Sequence, residues 1–546
     1  DPEKLQPSGG PITKDNTGAE VYCTIFAFRE SPHEPGVFWA GSDDGLVHLS
    51  RDGGQTWQNV TPPDLPAWAT VAMLEPSPHD PAACYLAAHN YRLDDFRPYL
   101  FKTADYGRTW TTITNGIPED DFTRVIRADP VRRGLLYCGT ETGLYVSFDD
   151  GASWQRVQST LPVCPIYDLV VKDSDLVVAT HGRSFWILDD LTPLRQVEPG
   201  QLEQAAHLFQ PRPTVRMKVY HGFGSSVSGA VNYRWAGPLV YAAWVEELPT
   251  AVKEERPLDA GQNPPDGAII TYYLRERPEG EVRLTFLDMA GNELRSFSSE
   301  KPADPLPELP KEKKPKEEPR LEKDAGFHRF VWDLRVAGAR RVVGDKSYEE
   351  YLAGPRVVPG TYQVRLTVGD RSWTQTFEVR KDPRIEATEA DLREQFDLLI
   401  RIRDKVSEAH DAINQIRSAR QQLGEWRKRI ETGDGRAELI EAMGELEKKL
   451  AAIEDELIQP KMDDPRQFPW KLAARLAALT SFVESADSRP TQGEREVYAT
   501  LAGAIDAQLA RLRELLATDL AELNRRLATA GVPAIVPSAA LVPAGR

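Results

Sequence analysis

The sequence predicts a multidomain protein, mainly β and then α: small stacked β-sheets, then an immunoglobulin- or fibronectin-like β-sandwich, then a C-terminal antiparallel helical bundle. Three observations carry this expectation. A strand–turn–tryptophan pattern repeats through the first third of the chain, a second set of alternating strands follows, and the hydrophobic period changes to that of a helix from Thr388 onward.

The repeat is clearest in GTETGLYVSFDDGASW, from Gly139 to Trp154. Relatives of it are GSDDGLVHLSRDGGQTW (Gly41 to Trp57) and TADYGRTW (Thr103 to Trp110). Aligned on Asp52, Asp105 and Asp149, each copy reads hydroxyl residue, any residue, Asp, any residue, Gly, any residue, hydroxyl residue, Trp. A short apolar strand runs into a tight turn in which glycine permits backbone angles that other residues avoid. The Asp carboxylate is placed to accept hydrogen bonds from amides inside the turn, and Trp57, Trp110 and Trp154 are each expected to open the return strand and bury their rings. Such a hairpin cannot bury its apolar face alone, so the period points to the stacked blades of a β-propeller.

Four blades can be drawn over residues 1–198. The first runs from Val21 through TIFAFRE, VFWAG, the aspartate turn and WQNV. The second carries the long insertion NYRLDDFRPY, the third ends in SWQRV, and the fourth, PIYDLVVKDSDLVVATHGRSFWILDD, keeps three strands and lacks the aspartate turn. Propellers close with about four to eight four-stranded blades, and no closing strand is evident here. The opening stretch DPEKLQPSGGPITKDNTGAE reads as a linker, so the expected first partner is an N-terminal remainder of the propeller, in the same precursor or in a second chain.

The aspartate turn resembles the Asp box of bacterial-neuraminidase-repeat (BNR) propellers. TNGIPEDDFTRVIRADPVRRGLLYCGTETGLYVSFDDGASW and DLVVATHGRSFWILDDLTPLRQ are similar to the C-terminal half of large bacterial secreted proteins of the sortilin-type propeller superfamily, often labelled glycosyl hydrolases. The resemblance implies a structural role for Asp52, Asp105 and Asp149 and a secreted, periplasmic or cell-surface location. It says little about activity, because fold and site are separate questions.

Composition excludes several classes. The chain of 546 residues has 67 basic and 83 acidic side chains, a net charge of −16, which disfavours nucleic acid or an acidic membrane surface as the main partner. No apolar run is long enough for a membrane span. Cys23, Cys84, Cys138 and Cys164 form no CxxC pair and sit mainly in apolar strands, so buried thiols are expected ahead of disulfides. The nine histidines show no paired ligand spacing, so neither metal nor cofactor is expected.

Strand polarity sorts the loops onto two edges. The turns after each first strand (SPHEPG, SPHDPA, DPVRRG) should share one edge with the aspartate turns. The other edge collects the turns after each second strand and the links between blades: Asp43 and Asp44; Arg92, Asp94, Asp95 and Arg97; Asp120, Asp121 and Arg124; Glu141; His181 and Arg183. This edge is dense in paired charge and is the expected ligand-binding surface, through Arg92, Arg97, Arg124, Glu141, His181 and Arg183. Among Asp43, Asp44, Asp94, Asp95, Asp120 and Asp121, two at suitable separation would serve a glycoside hydrolase as acid and base. The competing structural reading pairs Asp94 and Asp95 with Arg92 and Arg97 and uses Asp43 and Asp44 to cap a turn.

Residues 199–262 read as a connector. Residues 263–383 read as the sandwich, interrupted at 300–323 by a charged, proline-rich loop. Residues 388–530 carry four amphipathic helices, started by Thr388 with Asp391 and broken by ETGDGR and Pro460, and residues 531–546 form an extended tail. The helical domain is self-contained or supplies an oligomer face. The expected function is recognition or scaffolding, with a partner or glycan on the charged edge. The alternatives are a polysaccharide-cleaving glycoside hydrolase and sortilin-like peptide binding.

Overall fold

The computed structural model describes residues 23–157, 160–198, 200–218, 223–224, 226–258, 260–301, 317–345, 347–430, 437–459 and 468–538. The expected linker before Val21, most of the proline-rich loop, the ETGDGR break, Pro460 and the last residues of the tail lie outside them. The chain is mainly antiparallel β-sheet with a C-terminal helical region, and it divides into two units, 1–199 and 200–546.

Among the described residues the first unit contains four sheets in chain order. Sheet one is β1 (Ile25–Glu30), β2 (Phe38–Ser42), β3 (Val47–Ser50) and β4 (Gln58–Asn59), paired in that order. Sheet two repeats it with β5 (Thr70–Pro76), β6 (Cys84–Asn90), β7 (Asp95–Thr103) and β8 (Thr111–Thr112). Sheet three has β9 (Thr123–Ala128), β10 (Leu136–Thr140), β11 (Leu144–Ser147) and β12 (Gln155–Arg156). Sheet four has only β13 (Ile166–Lys172), β14 (Asp175–Thr180) and β15 (Phe185–Leu188), followed by a short helix α1 (Thr192–Gln196).

Alternation along the strands sends side chains to both faces of the middle sheets. Cys84, Leu86 and Ala88 of β6 join Trp39, Val47 and Leu49 in a core between sheets one and two. Tyr85 and Ala87 of the same strand join Ile126, Leu136 and Trp154 between sheets two and three. Val125, Tyr137 and Val146 then meet Ile166, Leu169 and Val178 between sheets three and four. Sheets two and three are thereby covered on both faces. Cys84, Cys138 and Cys164 are buried, and burial raises their thiol pKa values.

The three aspartate turns are superimposable in their bonding. One carboxylate oxygen of Asp52, Asp105 and Asp149 accepts from a hydroxyl two residues earlier (Ser50, Thr103, Ser147) and from an amide four residues later, and the other accepts from the hydroxyl of that later residue. These bonds hold the carboxylates below their usual pKa range, Asp52 at about 2 chiefly through Thr56. Their role is to close a turn, so Asp105→Ala should lower stability by about 1–2 kcal/mol through donors left unpaired. Thermal melts check this, and an unchanged transition would contradict it.

Among the described residues the second unit has three sheets. Strands β16 (Ala206–Leu208), β17 (Thr214–Arg216), β18 (Phe223–Gly224), β19 (Ala230–Ala236), β20 (Leu239–Glu247) and β21 (Lys253–Pro257) lie in the stretch expected as a connector. They are followed by β22 (Ala268–Leu274), β23 (Val282–Leu287), β24 (Glu293–Ser298), β25 (Gly326–Trp332), β26 (Gly360–Val368) and β27 (Arg371–Lys381). The sheet β16-β22-β25 and the sheet β17-β27-β26-β23-β24 share one core around Trp332, which stacks on Phe286 at 4.3 Å. Thus the connector supplies an edge strand to each, β17 pairing parallel with β27. The remaining sheet, β18-β19-β20-β21, is built wholly from it.

Helices α2 (Glu389–Ile430), α3 (Ala437–Leu457), α4 (Leu472–Val483), α5 (Gln492–Leu515) and α6 (Ala521–Thr529) share one apolar core. Thr388 and Asp391 exchange side-chain-to-amide bonds at the start of α2, as their spacing predicts. The last helix of the sequence reading is divided by a π-turn at Leu516–Leu520. Among the described residues no helix is long and apolar enough to cross a membrane.

Candidate functional site

Backbone hydrogen bonds define the two edges of the sheet array. On one edge, each aspartate turn donates back to the first turn of its own sheet: Gly53 to Gly36, Tyr106 to Ala82 and Asp150 to Gly134. On the other, the turn after a second strand meets the residue leading into the first: Asp43 to Thr24, Glu141 to Phe122 and His181 to Pro165.

The tryptophans divide unequally. The indole N–H of Trp110 donates to the Val60 carbonyl at 2.7 Å, and that of Trp154 to the Ile113 carbonyl at 2.7 Å; each acceptor follows the last strand of the preceding sheet. Trp57 departs from the expected burial: it is 42% exposed, and its N–H turns back to Gly54 of its own turn at 3.1 Å.

On the opposite edge, most of the six aspartates weighed as acid or base are consumed by structure. Asp43 is buried and accepts from the Thr24 amide and hydroxyl at 2.8 and 2.9 Å. Asp44 is buried and accepts from the Ser42 hydroxyl. Asp121, also buried, accepts from the Thr140 and Thr142 hydroxyls, the Thr142 amide and Tyr145, all between 2.7 and 3.1 Å, pinning the β10–β11 turn. Asp95 takes two bonds from Arg97 at 2.9 Å each and one from Tyr99 at 2.6 Å, and the Arg97 guanidinium holds it far below the usual carboxylate range. Asp94, in a left-handed conformation with φ 58°, ends the short turn after β6 and forms no ion pair with Arg92 or Arg97. It and Asp120 are exposed.

The arginine that organises this edge is Arg124. It is 8% exposed and donates to Glu141, its Nε at 2.8 Å and its Nη2 at 2.6 Å. Its guanidinium lies over three rings: Tyr167 at 4.2 Å, Phe122 at 4.9 Å and Tyr91 at 5.4 Å. Tyr91 stacks on Phe122 at 4.9 Å, and His89 leans on Tyr91 at 5.0 Å. Burial, reinforced by the charges of Arg124 and Arg92, pushes His89 down to about 3, so its ring is neutral at physiological pH. Phe96 and Tyr167 remain about half exposed, and Tyr167 stacks on exposed His181 at 4.7 Å.

Of the six ligand-binding residues expected here, Arg124, Glu141 and His181 thus meet in one cluster. Arg92 is at its border, with its guanidinium 5.3 Å from the Tyr91 ring, whereas Arg97 is engaged by Asp95. Arg183 is exposed in the same turn as His181. Charge drew attention to this edge, but the rings were missed; the signal was the placing of Tyr91 and Phe96 beside Arg92 and Arg97 in NYRLDDFRPY. The arrangement can grip a flat or ring-shaped ligand by stacking and fixed cationic donors. Among the described residues no cluster of metal-ligating side chains occurs.

No family model and no curated protein matches the chain. Solved structures similar to part of it include YCF48 bound to a D1 peptide (16% identity, TM-score 0.25, 47% of this chain and 78% of that one). YCF48 from Cyanidioschyzon merolae is similar at 13% identity and TM-score 0.25, over 48% of this chain and 82% of that one. A GH74 xyloglucanase from Xanthomonas campestris is similar at 14% identity and TM-score 0.25, over 65% of this chain and 54% of that one.

Proposed function

We propose that the first unit is part of an Asp-box β-propeller of the BNR, sortilin-like kind, carried by a secreted protein, and that it is a non-catalytic recognition module. Its ligand is a glycan, which stacks on the exposed rings of Phe96, Tyr167 and His181 and takes hydrogen bonds from Arg92 and Arg183. The two sheets around Trp332 are read as a β-sandwich and helices α2–α6 as a bundle, both serving as scaffold.

The observation that carries this reading is the Arg124 cluster: a cation fixed by Glu141 and framed by aromatic rings, some left open to solvent. Hydrolysis needs two carboxylates across a groove, about 5–10 Å apart. Asp43, Asp44, Asp95 and Asp121 already hold the fold together, leaving Asp94 and Asp120 as the exposed pair a hydrolase would have to use.

Affinity electrophoresis through gels containing neutral or uronic-acid polysaccharides tests the proposal. At least one polysaccharide should retard the full chain, Tyr167→Ala should abolish the retardation, and Asp94→Asn with Asp120→Asn should leave it unchanged. Equal migration in every gel, or release of reducing sugar that depends on Asp94 or Asp120, would contradict it.

A further inference from the structure

In the second unit, exposed apolar side chains gather on the β19–β20 hairpin: Val231, Tyr233 and Trp235 on one strand, Leu239, Val240 and Trp244 on the other. Val231 pairs with Trp244, Tyr233 with Ala242 and Trp235 with Val240, so alternation puts all of these except Leu239 on one face. Leu239 belongs to the opposite face, with Tyr241 and Ala243. Farther from the turn, Ala243 and Val245 are buried and anchor that face. At the tip both faces are bare: Trp235 is 61%, Leu239 69% and Val240 58% exposed, and a Cβ added to Gly237 in the turn would meet nothing within 4 Å.

Polarity is sorted along the length of the hairpin. Arg234 is the charged residue in the run from Tyr233 to Tyr241; its side chain is 12% exposed and is neutralised by Glu255 at 2.7 Å. Charge is concentrated at the other end, where Glu246 pairs across from Glu254, and Arg256, held by Glu254 at 2.7 Å, stands opposite Trp244. At a strand rise of about 3.4 Å per residue, Glu246 lies about 20 Å along β20 from Val240. We infer that this hairpin is a membrane-docking element whose tip enters the surface of a lipid bilayer without net charge, such as phosphatidylcholine. Interfacial elements sink their apolar part about 5–10 Å into the boundary between headgroups and acyl chains. That depth takes in the tip and reaches Tyr233, whose ring and hydroxyl suit the boundary, and leaves Glu246, Glu254 and Arg256 in water.

The two bare faces decide between occupants. Packing of a sheet from a second copy would cover one face and leave either Leu239 or Trp235 in water. A glycan stacked on Trp235 would find Val240, Leu239 and Pro238 beside it, with no side chain there to bond its hydroxyls. A medium that surrounds the tip satisfies both faces at once. With its arginine neutralised, the tip has no bare cation for anionic lipid, so apolar burial drives the docking and salt does not weaken it.

Vesicle flotation of the full chain tests the inference. The chain should float with pure phosphatidylcholine vesicles equally at low and high salt. Trp235→Glu combined with Leu239→Glu should keep the parent's melting temperature and lower the partitioning at least about tenfold, as loss of two inserted apolar side chains requires. Phe185→Glu, at an exposed apolar side chain of the first unit, should float like the parent. Trp235→Phe, which preserves the apolar tip, should also float, yet its fluorescence should be quenched less than the parent's by phosphatidylcholine brominated in the acyl chains. Failure to float, flotation that survives the double substitution, flotation that needs phosphatidylserine and disappears in high salt, or equal quenching of Trp235→Phe and parent would overturn the inference. So would a dimer of the parent chain, in sedimentation without vesicles, that the double substitution dissolves.

Discussion

Trp154→Ala is expected to cost the first unit about 3–5 kcal/mol, the range of large aromatic deletions in packed cores. Trp154 is 4% exposed, fills the layer between sheets two and three against Ile126 and Tyr145, and donates to the Ile113 carbonyl. Truncation would open a cavity and leave that carbonyl without its partner. The matched substitution in the first copy, Trp57→Ala, should change stability by only about 0.5 kcal/mol, as surface changes commonly do, because Trp57 is exposed and bonded within its own turn. Calorimetry of both variants distinguishes them, and equal losses would show that the turns do not stitch neighbouring sheets.

Acid should weaken the second unit through His410, which lies on α2 at 1% exposure. Its Nδ1 faces the Arg340 carbonyl at 2.5 Å and its Nε2 faces the Tyr348 hydroxyl at 2.7 Å. A carbonyl can only accept, so Nδ1 carries a proton, and when the ring is neutral Nε2 accepts from the Tyr348 hydroxyl. Burial pushes its pKa down from 6.5 to about 4. Below pH 6.5 the unfolded chain binds a proton that the folded chain refuses, so stability falls as pH falls, and the loss is complete once pH passes below about 4. The full loss is about 3 kcal/mol at ~1.4 kcal/mol per pKa unit. Urea unfolding followed by helical circular dichroism at pH 7 and pH 4.5 measures it. His410→Gln should be less stable at pH 7 yet lose less on acidification; a variant with the parent's pH dependence would contradict this role.

The layered β-sheet start and the helical end were legible because both follow from local periodicity. In the aspartate turns the amide-to-carboxylate bonds follow from the spacing of carboxylate and glycine, and all three copies show them, whereas the additional hydroxyl bonds to each carboxylate were not read from the sequence. Trp57 was not legible, because its burial depends on a neighbouring sheet rather than on its own turn. The strands within 199–262 were hidden for a related reason: short edge strands such as β16 and β17 draw their stability from partners far along the chain, β22 and β27. At the charged edge, loops grouped from the sequence meet around Arg124, and several of the aspartates weighed there are bonded into the fold. Asp121 reads as a catalytic candidate until the fold brings Thr140, Thr142 and Tyr145 to it, and the rings around Arg124 come from three sheets that composition alone cannot align.

The second and third aspartate turns stitch their sheets to the one before, through Trp110 and Trp154. Hydrogen exchange of the indole N–H groups, resolved by NMR of the selectively labelled chain, tests this most directly. Trp110 and Trp154 should exchange slowly, since their protons are held by Val60 and Ile113, while Trp57 exchanges at a rate close to that of an exposed indole. Equally fast exchange at all three positions, or protection of Trp57 alone in the isolated chain, would contradict it.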